Sequence, residues 1–260
     1  MSDLLDGQVV LFVDLLGFSE FTSGSDTQLQ QLVLALLTNL ASLKSDFVSQ
    51  TTRTENGTTH DVRPSISTFS DHIVASYSLA RIEADESVKP WIIMAHLSEF
   101  VARIAISALS LGFLVRGSIA FGKLYHSGGV VFGQALAEAV ALESRTAIFP
   151  RVILSERATV LFSRHNRHSL KQDFDGIEYV DYYRDCVLKA AQPEANYSKV
   201  TEQWFNLIVA KLHENLQTLT GSQRAKWFYF SRKLRSALEM SDPEMLKAFG
   251  VDLTRLPKLD

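Results

Sequence analysis

Two aspartates, Asp14 and Asp71, offer the first chemistry in this sequence. The run Val9-Val10-Leu11-Phe12-Val13 leads straight into Asp14. Ser70-Asp71-His72 separates two stretches of strand composition, Ser65-Ile66-Ser67-Thr68-Phe69 and Ile73-Val74-Ala75-Ser76-Tyr77. A carboxylate beside a core is costly unless it is paired or holds a metal. After Asp14, Gly17 permits a tight turn with backbone N–H groups on offer, and Ser19 is placed to cap a following helix. A strand that ends in Asp before such a turn suits a metal-bound polyphosphate. Two acids at the ends of adjacent strands suit two divalent cations, Mg²⁺ or Mn²⁺, around a triphosphate. The backbone carbonyl of Leu15 would add one more oxygen. Arg116, inside the apolar run from Phe113 to Gly122, is a charge that needs a partner. The plainer reading makes Asp14 a surface acid after a buried strand, and Arg116 a core-edge arginine satisfied by a helix carboxylate.

These side chains need elements to position them. Val9 to Val13 is uncharged and rich in β-branched types, which predicts a buried strand. Leu29, Leu32, Leu36, Leu37, Leu40 and Leu43 recur at three and four, predicting a helix from Asp26 to about Ser49 with Ser25 or Asp26 as its cap. Gln50 to His60 is polar, contains Asn-Gly, and reads as an exposed loop. Arg63 to Tyr77 reads as a hairpin with Asp71 at its tip. Asp85 to about Leu111 reads as a helix stopped by Gly112, and Phe113 to Gly122 as a strand. Gly122 to Gly129 looks turn-rich, with a short strand after it. Gly133 to Ala147 reads as a helix on which Glu138 and Glu143, five apart, serve structure. Arg151 to Leu154 and Ile177 to Tyr183 read as strands, and Ser155 as a helix cap. Lys123, Tyr125 and His126 form a polar group that could face a nucleotide.

From about Ser198 only helical patterns remain, over Gln203 to Leu219, Ser222 to Met240 and Pro243 to Phe249. The expected organisation is a catalytic domain over 1–190 and a helical C-terminal appendage over 191–260. The appendage aromatics Trp204, Trp227, Phe228 and Phe230 suit packing or a dimer surface. Strands alternating with helices, plus hairpins, predict an α+β sandwich with a mostly antiparallel sheet.

The 260 residues suffice for a substantial core, with 46% hydrophobic and 21% charged. A formal net charge of -3 argues against a nucleic-acid surface covering the chain. The one cysteine, Cys186, excludes an internal disulfide and a cysteine zinc cluster and suits a reducing compartment. The N-terminus lacks the basic and apolar regions of a signal peptide, and His96, Glu99 and Arg103 interrupt the longest apolar candidate, Trp91 to Leu114. The expectation is a cytoplasmic protein with neither a membrane nor a nucleic-acid partner.

Four motifs then resemble class III nucleotidyl cyclases in order and register, over roughly Val9 to Tyr183. Phe12-Val13-Asp14-Leu15-Leu16-Gly17-Phe18-Ser19 is similar to that family's first metal motif. Thr68-Phe69-Ser70-Asp71-His72-Ile73-Val74 is similar to its second metal hairpin. Val115-Arg116-Gly117-Ser118-Ile119-Ala120-Phe121-Gly122 is similar to the strand after its third helix. Phe132-Gly133-Gln134-Ala135-Leu136-Ala137-Glu138-Ala139-Val140-Ala141-Leu142-Glu143 is similar to the helix that carries its transition-state residues. The resemblance implies a ferredoxin-like sandwich, metal ligands at Asp14, Leu15 and Asp71, and phosphate contacts at Gly17, Phe18 and Arg116. The sequence departs from purine cyclases at the base. Ser67 stands where they carry Lys, and the partner Asp falls near Val130; the transition-state Asn and Arg fall on Ala137 and Ala141.

Phe69-Ser70-Asp71, Arg116-Gly117-Ser118-Ile119-Ala120, His126 before Val131-Phe132-Gly133, and Phe149-Pro150-Arg151-Val152 resemble instead the pyrimidine cyclases of the bacterial Pycsar anti-phage system. That resemblance implies cyclic UMP or cyclic CMP made from UTP or CTP, and Asp14, Asp71 and Arg116 as catalytic residues. It implies Mn²⁺ or Mg²⁺, a homodimer, and a downstream effector that binds the cyclic nucleotide. Ser67, with Arg63 and the neighbourhood of Val130, is then expected to meet the base. The alternatives are a purine cyclase that reads its base with other groups, and a non-catalytic nucleotide-binding module.

Overall fold

The uncharged run after residue 8 becomes the centre of β1 (Asp6–Leu16), an 11-residue strand buried from Gln8 to Leu16. The computed structural model describes residues 5–18, 27–46, 51–53, 59–162, 169–189 and 197–258. After β1 come α1 (Thr27–Asp46), the short strands β2 (Thr51–Arg53) and β3 (Thr59–Asp61), and the hairpin β4 (Ser65–Phe69) and β5 (His72–Ser78). Then follow α2 (Lys89–Ser110), β6 (Leu114–Ser127), β7 (Val130–Gly133), α3 (Gln134–Arg145), β8 (Val152–Leu154) and α4 (Glu156–Phe162). The chain continues through β9 (Leu170–Gln172), β10 (Glu178–Val180), α5 (Tyr183–Leu188), α6 (Tyr197–Thr218), α7 (Gly221–Glu239) and α8 (Pro243–Ala248).

Eight strands form one sheet in the order β4-β5-β1-β6-β8-β10-β9, with β7 paired to β6. Among the described residues only the β6–β8 pairing of this sheet is parallel. Strands β1, β4, β5 and β6 with helices α1 and α2 make the split βαββαβ arrangement of ferredoxin-like folds. The α+β architecture with a mostly antiparallel sheet is thus observed.

Both faces of the central sheet are covered, which is why β1 shows no polar alternation. Val9, Leu11 and Val13 join the main core with Ile92, Leu97, Phe100 and Ile104 of α2. Val10 and Phe12 join a second cluster with Val74, Ala120, Leu124, Ala135 and Ala139. Period two then places Asp14 on the α3 face of the sheet. Small residues let α3 approach closely, and Ser118 Oγ donates to the Ala139 carbonyl at 2.6 Å. One helix among the described residues, α2, is long and apolar enough to cross a membrane, and its window is 67% buried inside this core.

Gly117 pairs with Val13 on β1, and a Cβ there would lie 2.4 Å from the Phe12 carbonyl oxygen. A backbone atom cannot move aside as a side chain can. Gly117→Ala is therefore expected to cost about 3 kcal/mol by overpacking, read as a lower urea midpoint. An unchanged midpoint would show that β1 and β6 separate without cost.

Several sequence expectations need correction. The presumed loop from Gln50 to His60 contains the antiparallel pair β2–β3, in register Thr52 to His60, because its β-branched threonines suit a ladder. Helix α2 starts at Lys89, not Asp85, with Pro90 in its first turn; the Asp85 carbonyl accepts instead from Val88 and Lys89. Strand β6 does not end at Gly122. It runs to Ser127 and turns at Gly128 and Gly129, with φ of 60° and 84°. Gly122 lies inside this strand, in ordinary contact with Ala135 of α3, rather than in a turn. The last strand stops at Val180, and Tyr183 opens α5; both Tyr182 and Tyr183 donate their hydroxyls to the Pro150 carbonyl, at 2.8 and 2.7 Å. Leu32 on α1 is 47% exposed, while Val33 is buried. Ser19, Ser25 and Asp26, expected as caps, lie outside the described residues.

The C-terminal helices contribute to the same main core. Phe205, Ile208 and Leu212 of α6 and Phe230, Leu234 and Leu238 of α7 belong to the cluster that contains Leu11 and Phe100. Trp204 Nε1 donates to the Cys186 carbonyl at 2.6 Å, while Trp227 is buried.

Candidate metal and phosphate site

Strand register brings the charges together. Asp14, at the end of β1, pairs with His72 on β5 and with Arg116 on β6. Three side chains from adjacent strands therefore project from one row of the sheet on the α3 face. Arg116 Nε donates to Asp14 Oδ2 at 2.7 Å. Glu143, at the end of α3, places Oε1 2.6 Å from the same Nε. That nitrogen carries a single hydrogen, so one carboxylate is hydrogen-bonded and the other is only a charge neighbour. Glu143 Oε1 is buried and takes no hydrogen bond.

Asp71 sits at the tip of the β4–β5 hairpin. Ser70 before it has φ of 54°, left-handed for a non-glycine residue and strained in the way functional loops tolerate. The Leu15 N–H donates to the Asp71 carbonyl at 3.3 Å, which ties this tip to the end of β1. His72 lies between the acids, with Nδ1 3.1 Å from Asp71 Oδ1 and Nε2 3.9 Å from Asp14 Oδ1. The first contact is not aligned as a hydrogen bond, and Nδ1 is buried. The His72 ring is held by Phe69, stacked at 5.2 Å, and by Phe12 at 5.1 Å.

Ligand atoms of Asp14, Asp71 and His72 all lie within 4.8 Å of one another. Converging carboxylate oxygens, together with enclosed polar atoms that no hydrogen bond satisfies, fit a hard divalent cation. Burial raises the Asp14 pKa above its ordinary value; the Arg116 hydrogen bond and charge oppose this, and Asp71 adds to it. Burial likewise raises Glu143, against Arg116 and with Asp14. Groups raised in the fold stabilise it below their ordinary pKa, about 4, and lose that contribution as pH rises through the raised values. A bound cation competes with those protons, so its affinity grows with pH. The increase in Tm that Mn²⁺ produces is accordingly expected to grow as pH rises above the ordinary carboxylate range, about 4. A pH-independent increase would place the ion elsewhere.

The other expected residues separate into those near this row and those apart from it. Gly17 has φ of 98°, as the turn requires, and Phe18 packs against Phe113 at 6.2 Å. Ser67 lies on β4, on the same face as Asp14 and one row away, where its Oγ is 2.9 Å from His126 Nε2. Val130 is 56% exposed at the β6–β7 turn, and Arg63 is exposed before β4. It is His126, not Val130, that meets Ser67. Arg151 belongs to a different network: it is 1% exposed and pairs with Asp173 at 2.6 Å and with Asp175. Asp173 is bonded in turn by Lys233 at 2.6 Å and by Tyr229.

Sequence reasoning missed Glu143; it named His126 without its serine partners, and His72 only as a residue of the hairpin tip. For Glu143 a signal existed. Ala135, Ala139 and Glu143 recur every four residues, so the face that buries two alanines on the sheet also delivers Glu143 to its edge. Comparing Glu143 with Glu138 obscured that stripe. The serine partners of His126 gave no such signal, because they come from strands far away in sequence.

No family model matches the chain, and no curated protein does. Solved structures similar to it include the monomeric guanylyl cyclase domain of the RhoGC fusion protein from the aquatic fungus Blastocladiella emersonii. That domain is 13% identical with a TM-score of 0.41, over 67% of this chain and 94% of that one. A bacterial light-regulated adenylyl cyclase is 14% identical with a TM-score of 0.38, over 78% of this chain and 58% of that one.

Proposed function

We propose that this chain is a nucleotidyl cyclase of the class III type. Its substrate is a pyrimidine nucleoside triphosphate, UTP ahead of CTP, which it converts to the 3′,5′-cyclic monophosphate and pyrophosphate. The observation that carries the reading is the convergence of Asp14, Asp71 and Arg116 at one edge of the sheet, beside the Gly17 turn.

Asp14 and Asp71, with the Leu15 carbonyl, would hold two divalent cations, Mn²⁺ or Mg²⁺. When bound, these supply Lewis-acid activation of the attacking oxygen and charge stabilisation of the leaving group. With a cation bound, Asp14 would serve as its ligand, and Glu143 would remain beside Arg116 as its anionic neighbour. The guanidinium is thereby held at the triphosphate, where charge-assisted contacts are strong. Gly17 and Phe18 form the turn that receives the phosphates. The ribose 3′-hydroxyl gives up its proton to solvent as its oxygen bonds to the α-phosphorus, the bond from the α-phosphorus to the α–β bridging oxygen breaks, and pyrophosphate leaves with that electron pair.

Ser67, Arg63 and the neighbourhood of Val130 surround the base. With a hydroxyl and an apolar side chain in place of Lys and Asp, a purine edge finds no matched pair of polar groups, which disfavours it by orders of magnitude. The rest of the reading follows the sequence resemblance. It comprises a cytoplasmic homodimer with composite sites, a catalytic domain over 1–190 with a helical appendage over 191–260, and a cyclic-nucleotide-responsive effector in anti-phage defence. Supplying ATP, GTP, CTP and UTP singly with Mn²⁺ tests the proposal by product analysis. Cyclic UMP is the expected main product. Cyclic CMP would support the class and refute the preferred base. A cyclic purine nucleotide as main product would refute the pyrimidine reading, and no cyclic product at all would leave a nucleotide-binding module.

A further inference from the structure

His126 is a buried histidine whose two ring nitrogens both meet serine hydroxyls from the neighbouring hairpin. Nδ1 lies 2.9 Å from Ser76 Oγ on β5, and Nε2 lies 2.9 Å from Ser67 Oγ on β4. Ser76 and Val10 share one row of the α3 face, and Ser67 shares the next with Val74 and Phe12. Ser67 stands two strands and one pleat from Asp14, about 12 Å between backbones from strand spacing and rise. That separation suits a nucleotide with its phosphates at Asp14 and its base at Ser67.

The two serines differ in what surrounds them. Ser76 is 2% exposed, so its hydroxyl hydrogen has no access to water, and His126 Nδ1 stands within hydrogen-bond distance. Leaving a buried O–H undonated costs about 1–3 kcal/mol. Donation from Ser76 to Nδ1 would meet that need. A neutral imidazole that accepts at Nδ1 carries its proton on Nε2. Nε2–H then donates to Ser67 Oγ, and the Ser67 O–H turns away from His126. Ser67 is only half-buried, so in this arrangement its hydrogen can be offered to a ligand on the open part of the face.

We propose that Ser76 and His126 form a relay that fixes Ser67 as a hydrogen-bond donor to the base, and that this polarity selects uracil over cytosine. Uracil presents a carbonyl oxygen at the position where cytosine presents an amino group. A fixed donor matches the first and opposes the second. The inference rests on the cyclase reading and adds its specificity device. Ser76 and His126 are positioning residues in it, since neither touches the substrate.

The test measures kcat/KM for UTP and CTP with Mn²⁺ in the wild type and in Ser76→Ala, Ser76→Thr and His126→Gln, alongside their melting temperatures. A long-range proton–nitrogen NMR spectrum of the wild type reads the His126 tautomer. The expected spectrum shows a bare Nδ1 and a protonated Nε2. The wild type prefers UTP. Ser76→Ala, which removes the donor to Nδ1, and His126→Gln, whose amide can turn either way, each lower the UTP-to-CTP ratio at least about tenfold, the loss of one matched hydrogen bond. Ser76→Thr restores a donor and keeps the ratio. An unchanged ratio in folded Ser76→Ala, a wild-type preference for CTP, or a protonated Nδ1 each overturns the relay while the cyclase reading stands. If no triphosphate is turned over, the cyclase reading fails and the relay fails with it.

Discussion

Asp14→Asn and Asp71→Asn are each expected to lower turnover by about three orders of magnitude, close to 4 kcal/mol of transition-state stabilisation. The substitutions keep shape and remove the charge that a divalent cation requires. The fold should survive them, because Asp14 loses only its bond to Arg116, and Arg116 keeps Glu143 beside it at 2.6 Å. In Asp14→Asn the pairing of β1 with β5 and β6 is untouched, since it runs through the backbone. The check is steady-state turnover with Mn²⁺, with a thermal melt to confirm folding. Wild-type-like turnover in either folded variant would remove that aspartate from the site.

The second large effect is on stability, far from this row. Arg151→Ala should lower unfolding free energy by about 3–5 kcal/mol, because it strands carboxylates around a buried site. Arg151 holds Asp173 and Asp175 together behind β8, with Phe174 over its guanidinium at 5.8 Å. Lys233 remains near Asp173 in the variant, at 2.6 Å, and limits the loss. Arg151→Lys should recover little, because an ammonium cannot reproduce the fork that serves two acids.

The same network has a pH signature. For Asp173, burial acts to raise the pKa but is outweighed by bonds from Lys233, Tyr229 and the Phe174 N–H, so the net shift is downward. Asp175 is lowered chiefly by Arg151. Lowered carboxylates stabilise the fold above their ordinary pKa, about 4, and that contribution is lost as pH falls through the lowered values. In Arg151→Ala the acid side of the stability profile should therefore be flatter than in the wild type. Equal stability and an equal acid limb in the two proteins would show that the network is not structural.

Much of the fold was legible because local pattern and tertiary demand agree. The run at Val9 to Val13 reads as a buried strand in isolation and is one, since α2 covers one face and α3 the other. The hairpin around Asp71 was equally clear, with Ser65–Phe69 and Ile73–Tyr77 lying within β4 and β5. Failures fall where a residue type serves two purposes. Gly122 looked like a turn, yet β6 runs through it to Ser127. Tyr182 and Tyr183 have strand composition, yet their hydroxyls reach back to Pro150 as the chain turns into α5.

The candidate site divides in the same way. Asp14 and Arg116 could be named because each stands at or within an apolar run, and Asp71 because it stands at the tip of a hairpin. Which residues meet them could not be read off. Glu143 comes from a helix, and its approach to Arg116 depends on two alanines at the preceding turns. His126 reaches Ser67 and Ser76 only because β6 continues well past Gly122 before it turns.

The central claim is that Asp14 and Asp71 jointly hold divalent cations at a nucleotide. Mn²⁺ titration followed by electron paramagnetic resonance, with a non-cyclisable UTP analogue present, tests it most directly. The wild type should bind two ions per chain in the presence of the analogue. Asp14→Asn and Asp71→Asn should each lose at least one of them, and the double variant both. Two tightly bound ions in the double variant, or none in the wild type, would contradict the account.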